Sequence, residues 1–147
     1  MIAFKDLSEV LKITLAWEHK LRDFYDVAEI ALSKDESKAT VALLRERLLG
    51  KLEVLEQVDI SKFGRTEWIR YAPDVKGADL IPVGRIRRDT SPAEIFAHLL
   101  DYESKLRTVY AGVADNLISR TQKELFQSLV LFKEEQIQEI QRLMDRA

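Results

Sequence analysis

The stretch that decides the fold is WEHKLRDFY, residues 17–25, because its pattern returns as YESKLRTVY, residues 102–110. Glu, Lys, Leu, Arg and Tyr recur at equivalent places, each 85 positions after its first occurrence. The same offset also pairs Glu9 with Glu94 outside the stretch. A fixed offset of this kind predicts two copies of one structural unit.

Each copy predicts a helix that carries a glutamate on its apolar face. Apolar residues recur at alternating steps of four and three, which places them on one side of a helix. The first stripe comprises Leu7, Leu11, Thr14, Glu18, Leu21, Tyr25, Ala28 and Leu32, and the second comprises Phe96, Leu99, Glu103, Leu106, Tyr110, Val113 and Leu117. Both glutamates therefore point into a core, where a carboxylate needs a partner.

Capping signals and breaks in the periodicity predict four helices in two pairs. Helix one begins at the capping box formed by Asp6 and Glu9, and helix three begins with Ser91 as N-cap. A second capping box at Thr121 starts helix four. The chain is then a single all-α domain, 1–147, with a helix pair at 6–58, a crossover at 59–90 and a helix pair at 91–145.

The second and fourth helices also carry polar residues on their predicted inner stripes. Helix two runs from about 39 to 58, after a polar connection at 34–38. Its stripe comprises Leu44, Leu48, Lys51, Leu55 and Val58, and that of helix four comprises Leu125, Leu129, Lys133, Gln136, Ile140 and Leu143. Gly50 costs helix two about 1 kcal/mol relative to Ala, which predicts close packing against a neighbour.

The crossover 59–90 breaks the helical periodicity with Pro73, Pro82 and several glycines. Its apolar residues favour a segment that lies along the bundle, with a short helical turn around 66–71. It is also locally basic, and its arginines are interspersed with the aromatic residues Trp68 and Tyr71. The arginines are Arg65, Arg70, Arg85, Arg87 and Arg88. This mixture can bind an acidic partner or nucleic acid, but arginines that tether the crossover to acidic helix faces explain it equally well.

Composition narrows the class of protein. The 147 residues can bury a substantial core, and 46% hydrophobic with 33% charged residues is typical of a helix-rich globular chain. The net charge of -2 gives no general attraction to nucleic acid or to an anionic membrane. The lack of cysteine excludes disulfides and thiolate metal sites. With neither a membrane span nor a signal-peptide pattern, we expect a cytoplasmic protein.

Two helix pairs joined by a long crossover, with a Glu and a Tyr seven residues later in helices one and three, resemble the ferritin-like superfamily and its rubrerythrin-like branch. The resemblance implies a ferritin-like four-helix bundle of two helix-hairpin repeats. In that family a Glu from each of helices one and three joins a Glu-x-x-His from each of the other two around two metal ions. The single-Glu positions fall on Glu18 and Glu103, with Tyr25 and Tyr110 beside them as hydrogen-bond donors.

The Glu-x-x-His positions are where this chain departs from the family. The apolar stripes and the repeat offset align the two Glu-x-x-His motifs with Leu48 and Lys51 in helix two and with Lys133 and Gln136 in helix four. Two carboxylates beside two ammonium groups offer too few ligands for a di-metal centre and repel cations. We therefore expect the two lysines to neutralise the two buried glutamates. Lysines that extend their ammonium groups to solvent are the alternative.

Two classes of function follow from this departure. The first is a rubrerythrin-like protein that has lost its di-iron centre and serves as a non-enzymatic binding or assembly module. It has no catalytic residue and no cofactor, forms a homodimer and offers the crossover 59–90 to a protein partner. The alternative is an iron or manganese carboxylate protein that reduces peroxide or oxidises iron. Its ligands would be Glu18 and Glu103 together with Gln136, Glu134 or waters. Without cysteine, its electrons would come from another protein.

Overall fold

The computed structural model describes residues 3–59, 68–71, 86–87 and 89–146. Within these ranges the chain forms four long helices and one short two-stranded ribbon. The elements, in order, are β1 (Ala3–Asp6), α1 (Leu7–Ala31), α2 (Asp35–Glu56), β2 (Trp68–Tyr71), α3 (Pro92–Asp115) and α4 (Arg120–Arg146). The prediction of a helical architecture with four long helices is confirmed, while most of the crossover 59–90 lies outside the described residues.

The four helices pack as two antiparallel pairs around a shared apolar core. In the first pair, Arg45 on α2 forms ion pairs with Asp26 and Glu29 near the end of α1. In the second pair, Arg107 on α3 binds Glu134 on α4 at 2.7 Å. Every residue of the two predicted stripes on α1 and α3 is buried. The repeated glutamates therefore face the interior, as their spacing predicts.

The predicted helix starts are confirmed for α1 and α3 and wrong for the other two helices. Asp6 accepts a hydrogen bond from the Ser8 amide at 2.8 Å, and Ser91 accepts one from the Glu94 amide at 3.2 Å. The second helix begins at Asp35 rather than near 39, since acidic residues in a first turn interact favourably with the helix dipole. The fourth begins at Arg120, one residue before the predicted capping threonine.

A two-stranded antiparallel ribbon replaces part of the helical turn predicted at 66–71. Residues 68–71 pair with residues 3–6, in a register that places Ala3 opposite Tyr71 and Asp6 opposite Trp68. The prediction is wrong there because the hydrogen-bond partners come from the far end of the chain, which local periodicity does not reveal. Residues 66 and 67 lie outside the described residues.

Gly50 lies on the outer surface of α2, contrary to the close packing predicted for it. A Cβ atom built at this position meets no atom within 4 Å. Among the described residues of the chain, none therefore packs closely against Gly50. Of the helices described, none has both the length and the apolar character that crossing a membrane requires.

Candidate functional site

A cluster of charged side chains lies in the middle of the bundle, where α1, α3 and α4 meet. Glu18, Glu103 and Lys133 are each at most 1% exposed. The Lys133 ammonium nitrogen lies 2.5 Å from Oε1 of Glu18 and 3.2 Å from Oε1 of Glu103. The predicted pairing of Lys133 with the buried glutamates is confirmed, and a single ammonium group bridges both carboxylates.

The two carboxylates differ in how completely their oxygens are bonded. The hydroxyl of Tyr110 donates a hydrogen bond to Oε2 of Glu18 at 2.8 Å, so both oxygens of Glu18 have partners. The Oε2 atom of Glu103 accepts no hydrogen bond from the described residues. The two copies of the repeated motif thus hold their glutamates unequally.

Gln136 and Tyr25 lie beside the cluster, and Leu48 is buried in the apolar core. Gln136 is fully buried, and its Nε2 donates to the backbone carbonyl of Leu44 on α2 at 3.0 Å. Within the described ranges, neither its Oε1 nor the hydroxyl of Tyr25 has a hydrogen-bond partner. Leu48 is fully buried and contributes only apolar surface. The polar positions predicted around the site are therefore brought to one place, with one exception.

The exception is Lys51, which was expected to neutralise a glutamate and does not. It is half-buried, and its ammonium lies over the ring of Phe132, 5.8 Å from the ring centroid. No carboxylate in the described part of the chain lies within 4 Å of it. Leu52, one residue later, takes the inner position instead. The attraction of a cation to an aromatic face accounts for where the Lys51 side chain ends.

Burial sets the protonation behaviour of Glu103. Removal from water raises its pKa to about 7, although the Lys133 ammonium opposes the rise and the Glu18 carboxylate adds to it. Burial alone would lower the pKa of Lys133, but Glu103 and Glu18 together hold it above its ordinary value. Lys133 is therefore charged at neutral pH, while Glu103 sits close to its midpoint.

The two buried tyrosines stay in the phenol form. Desolvation raises the pKa of Tyr25 and of Tyr110 well above 10.0, and the nearby glutamates raise both further. Each hydroxyl is thus a hydrogen-bond donor throughout the ordinary pH range. Tyr110 uses this capacity on Glu18, and Tyr25 does not use it on any described residue.

Charge balance determines what the cluster can do chemically. Two ionised carboxylates and one ammonium leave a single negative charge in the core, which is costly without a partner. A proton on Glu103 removes that excess, so the cluster can hold one exchangeable proton near neutral pH. Charge neutralisation and the exchange of one proton are capacities that these residues have.

The donor set does not fit a centre with two metal ions. Such a centre needs several hard or imidazole ligands, and here two carboxylates already share one ammonium. In the described ranges, no three His, Asp or Glu side chains come together as a group able to hold an ion. The two histidines lie elsewhere. His19 binds Glu56 at 2.5 Å, and His98 packs edge-on against Phe24.

No protein-family model, curated protein or solved structure matches this chain. The candidate site therefore rests on the geometry of the cluster alone.

Two features of the site were missed by reasoning from the sequence. The Tyr102 hydroxyl donates to the backbone carbonyl of Trp17 at 2.7 Å, which joins equivalent positions of the two copies directly. The Phe132 ring is close to two ammonium groups, since the Lys51 and Lys133 nitrogens lie 5.8 Å and 5.4 Å from its centroid. The adjacency of Phe132 and Lys133 was visible in the sequence, but an aromatic residue beside an inner lysine is not a specific signal.

The basic crossover falls largely outside the described residues. Arg65, Arg85 and Arg88 lie there, so their expected contacts with an acidic partner or with helix faces stay predictions. Of the described residues in this region, Arg87 is exposed and Trp68 is 67% exposed.

Proposed function

We propose that this chain is a rubrerythrin-like member of the ferritin-like superfamily in which Lys133 has replaced the metal ions, and that it acts as a non-enzymatic binding or assembly module. The observation that carries the proposal is the position of one ammonium within 3.2 Å of both buried carboxylates. It supplies positive charge where metal ions do so in the family. A divalent cation placed there would be repelled by it.

A surviving metal centre with peroxide-reducing or iron-oxidising activity is the alternative function. One observation favours it. Within the described ranges, Glu103 Oε2, Gln136 Oε1 and the Tyr25 hydroxyl have no hydrogen-bond partners, and oxygen atoms are the ligands that hard cations prefer. A bound iron or manganese ion would have to share these oxygens with the Lys133 ammonium. We therefore place this function second.

Metal analysis separates the two functions. Protein produced in iron- and manganese-rich medium should contain no stoichiometric metal. The double variant Lys133→Glu/Gln136→His restores one Glu-x-x-His and should gain metal, while Lys51→Glu, which lies outside the cluster, should not. Stoichiometric iron or manganese in the wild-type chain, together with peroxidase activity lost in Glu18→Ala, would establish the alternative.

We further propose that the protein forms a homodimer through α2. Leu43, Arg47, Gly50 and Val54 follow steps of four, three and four along its outer face. Leu43 is 44% and Val54 is 61% exposed, and the Cβ position of Gly50 is open. Apolar residues at both ends of this stripe, with an open glycine between them, allow a second helix to approach closely.

The stripe is self-complementary under a two-fold axis. If a second α2 crosses antiparallel with the axis midway between Arg47 and Gly50, Leu43 faces Val54 of the second copy. The same arrangement places Glu46 opposite Lys51 of the second copy, which pairs unlike charges. A matching patch on both subunits is the requirement for a two-fold dimer.

Sedimentation analysis tests this surface. The wild-type protein should sediment as a dimer, and Val54→Glu should shift it to monomer without lowering its helix content. Ile30→Glu changes an apolar residue on α1 that is even more exposed than Val54, and it should leave the dimer intact. A wild-type monomer, or a dimer indifferent to Val54→Glu, would exclude the α2 interface.

The crossover 59–90 is the surface that we assign to a protein partner. The exposed indole of Trp68 supports this assignment, because Trp is enriched at the energetic centres of interfaces. Binding of an acidic peptide that weakens in Trp68→Ala is the expected result. Binding of nucleic acid with a steep salt dependence would instead indicate a nucleic-acid function.

A further inference from the structure

A cavity of about 360 Å³ opens at the end of the bundle where α2 and α3 begin and α4 ends. Its floor is apolar, formed by Phe96 and Leu143, which are 1% and 5% exposed. The volume is at the lower end of the range for small-molecule sites. Arg146 on its wall lies 13 residues from Lys133 along α4, about 20 Å by helix geometry. The cavity is therefore separate from the charge cluster.

One polar side chain on the cavity wall has a hydroxyl without a hydrogen-bond partner among the described residues. Ser37 lines the cavity and is only 7% exposed, and its hydroxyl makes no hydrogen bond to any described residue. Ser37 is in the first turn of α2, whose N-cap residue Lys34 makes no side-chain capping bond. First-turn amides of a helix have no intrahelical acceptor, so a helix without a cap leaves donors available. A ligand that accepts hydrogen bonds would satisfy these groups.

The charges around the cavity favour an anion. Lys34 lines it, is exposed and forms no ion pair within the described ranges. The carboxylate of Glu36, the acidic residue on the wall, already binds Arg146 at 2.9 Å. Among the described residues that line the cavity, the Lys34 ammonium is then left without a counter-charge.

We propose that this cavity binds an aliphatic molecule with a carboxylate head, of the fatty-acid class. The tail lies on Phe96 and Leu143, and the head accepts hydrogen bonds from the Ser37 hydroxyl and first-turn amides beside Lys34. The apolar floor selects against a wholly polar anion such as phosphate, which would leave that surface uncovered. The site is independent of the function proposed for the charge cluster, so either can fail alone.

Isothermal titration of the full-length protein tests the ligand class. Decanoate, below its micelle-forming concentration, should bind saturably with one site per chain. Butyrate should bind much more weakly than decanoate because it covers less of the apolar floor. Decanol should also bind much more weakly, because it has no charge. No saturable binding of decanoate would overturn the proposal, as would decanol or inorganic phosphate binding equally tightly.

Variants locate the site. Lys34→Glu should weaken decanoate binding about tenfold, because an attraction becomes a repulsion. Ala93→Trp places a large ring at the exposed rim of the cavity and should abolish binding. Lys20→Glu makes the same charge change at an exposed position on α1, away from the cavity, and should bind as wild type does. Equal affinities for Lys34→Glu and Lys20→Glu, or full binding by a folded Ala93→Trp, would refute the site.

Discussion

The ammonium nitrogen of Lys133 lies 2.5 Å from Oε1 of Glu18, and neither side chain is more than 1% exposed. The two residues belong to different helix pairs, α4 in one and α1 in the other. An ion pair of this kind adds little over an apolar core, but removing one partner leaves a charge uncompensated. The variants of this cluster therefore give the clearest test of its role.

Lys133→Met should lower the free energy of unfolding by about 3–5 kcal/mol, because Glu18 and Glu103 lose their shared counter-charge. Lys51→Met is the matched control and should cost only about 1 kcal/mol, the usual worth of a cation–aromatic contact that water still reaches. Urea denaturation at pH 7 measures both. Similar losses of unfolding free energy in the two variants would contradict the role of Lys133 as the counter-charge of the buried glutamates.

The same pairing predicts strong coupling between the partners. Adding Glu18→Gln to Lys133→Met should restore part of the lost stability, since one of the uncompensated carboxylates is removed. A double-mutant cycle gives the interaction free energy directly. Additive effects of the two changes would contradict the ion pair.

The two tyrosines should respond differently to loss of their hydroxyls. Tyr110→Phe removes a donor to a buried carboxylate and should cost about 1–3 kcal/mol. Tyr25→Phe removes a hydroxyl without a described partner and should be neutral or stabilising. Thermal melts of the pair provide the comparison, with each variant serving as the size-matched control of the other. Equal losses would mean that Tyr25 also has a partner.

Stability should fall as the pH rises from about 4.5 to about 7. The folded-state pKa of Glu103 is raised from 4.5 to about 7, so the native chain keeps a proton that the unfolded chain releases in this window. The stabilisation is complete below the lower value and is lost as the pH passes the upper one. The slope is at most about 1.4 kcal/mol per pH unit.

Glu103→Gln isolates this contribution from other titrations. Its unfolding free energy, measured by urea denaturation across the same pH range, should lack the fall that wild type shows. A wild-type curve parallel to that of the variant would show that Glu103 does not titrate in this window.

Two glycines in helices test the α2 surface in another way. Gly50 and Gly112 both have open space at the Cβ position. Gly112→Ala should raise the stability by about 0.5–1 kcal/mol through helix propensity, and leave association unchanged. Gly50→Ala should give the same gain in dilute protein but weaken the dimer, because the added methyl lies at the proposed helix crossing. Sedimentation that is unchanged in both would argue against that crossing.

The α1 and α3 stripes could be predicted from the sequence because each repeats a helical period over seven or eight positions. This placed Glu18 and Glu103 inside, and Lys133 followed from the stripe of α4. The pairing of Lys133 with both carboxylates was not predictable in detail. It depends on how the side chain crosses the interior, and the sequence left open which lysine served which glutamate.

The remaining errors in the predicted helix stripes arise where the residue spacing is consistent with either of two neighbouring residues facing the core. After Leu48, a step of three leads to Lys51 and a step of four to Leu52, and both steps keep a residue near the helix face. Packing selects Leu52, since an apolar side chain gains more from burial. The same ambiguity explains why Phe126 is fully buried on α4, where the predicted stripe had Leu125. The 68–71 strand depends on pairing with 3–6, which no local pattern encodes.

The bridge from Lys133 to Glu18 and Glu103 also has a consequence for how the two hairpins dock. Sliding one hairpin past the other by a single turn, about 5.4 Å, would leave its apolar ridges in nearly equivalent grooves. The same shift would also leave the Lys133 ammonium in an apolar environment without its carboxylate partners. The buried ion pair thus selects one alignment of the two hairpins among several that apolar packing alone would allow. A variant with a fully apolar centre would be expected to adopt several alignments before it lost its helical fold.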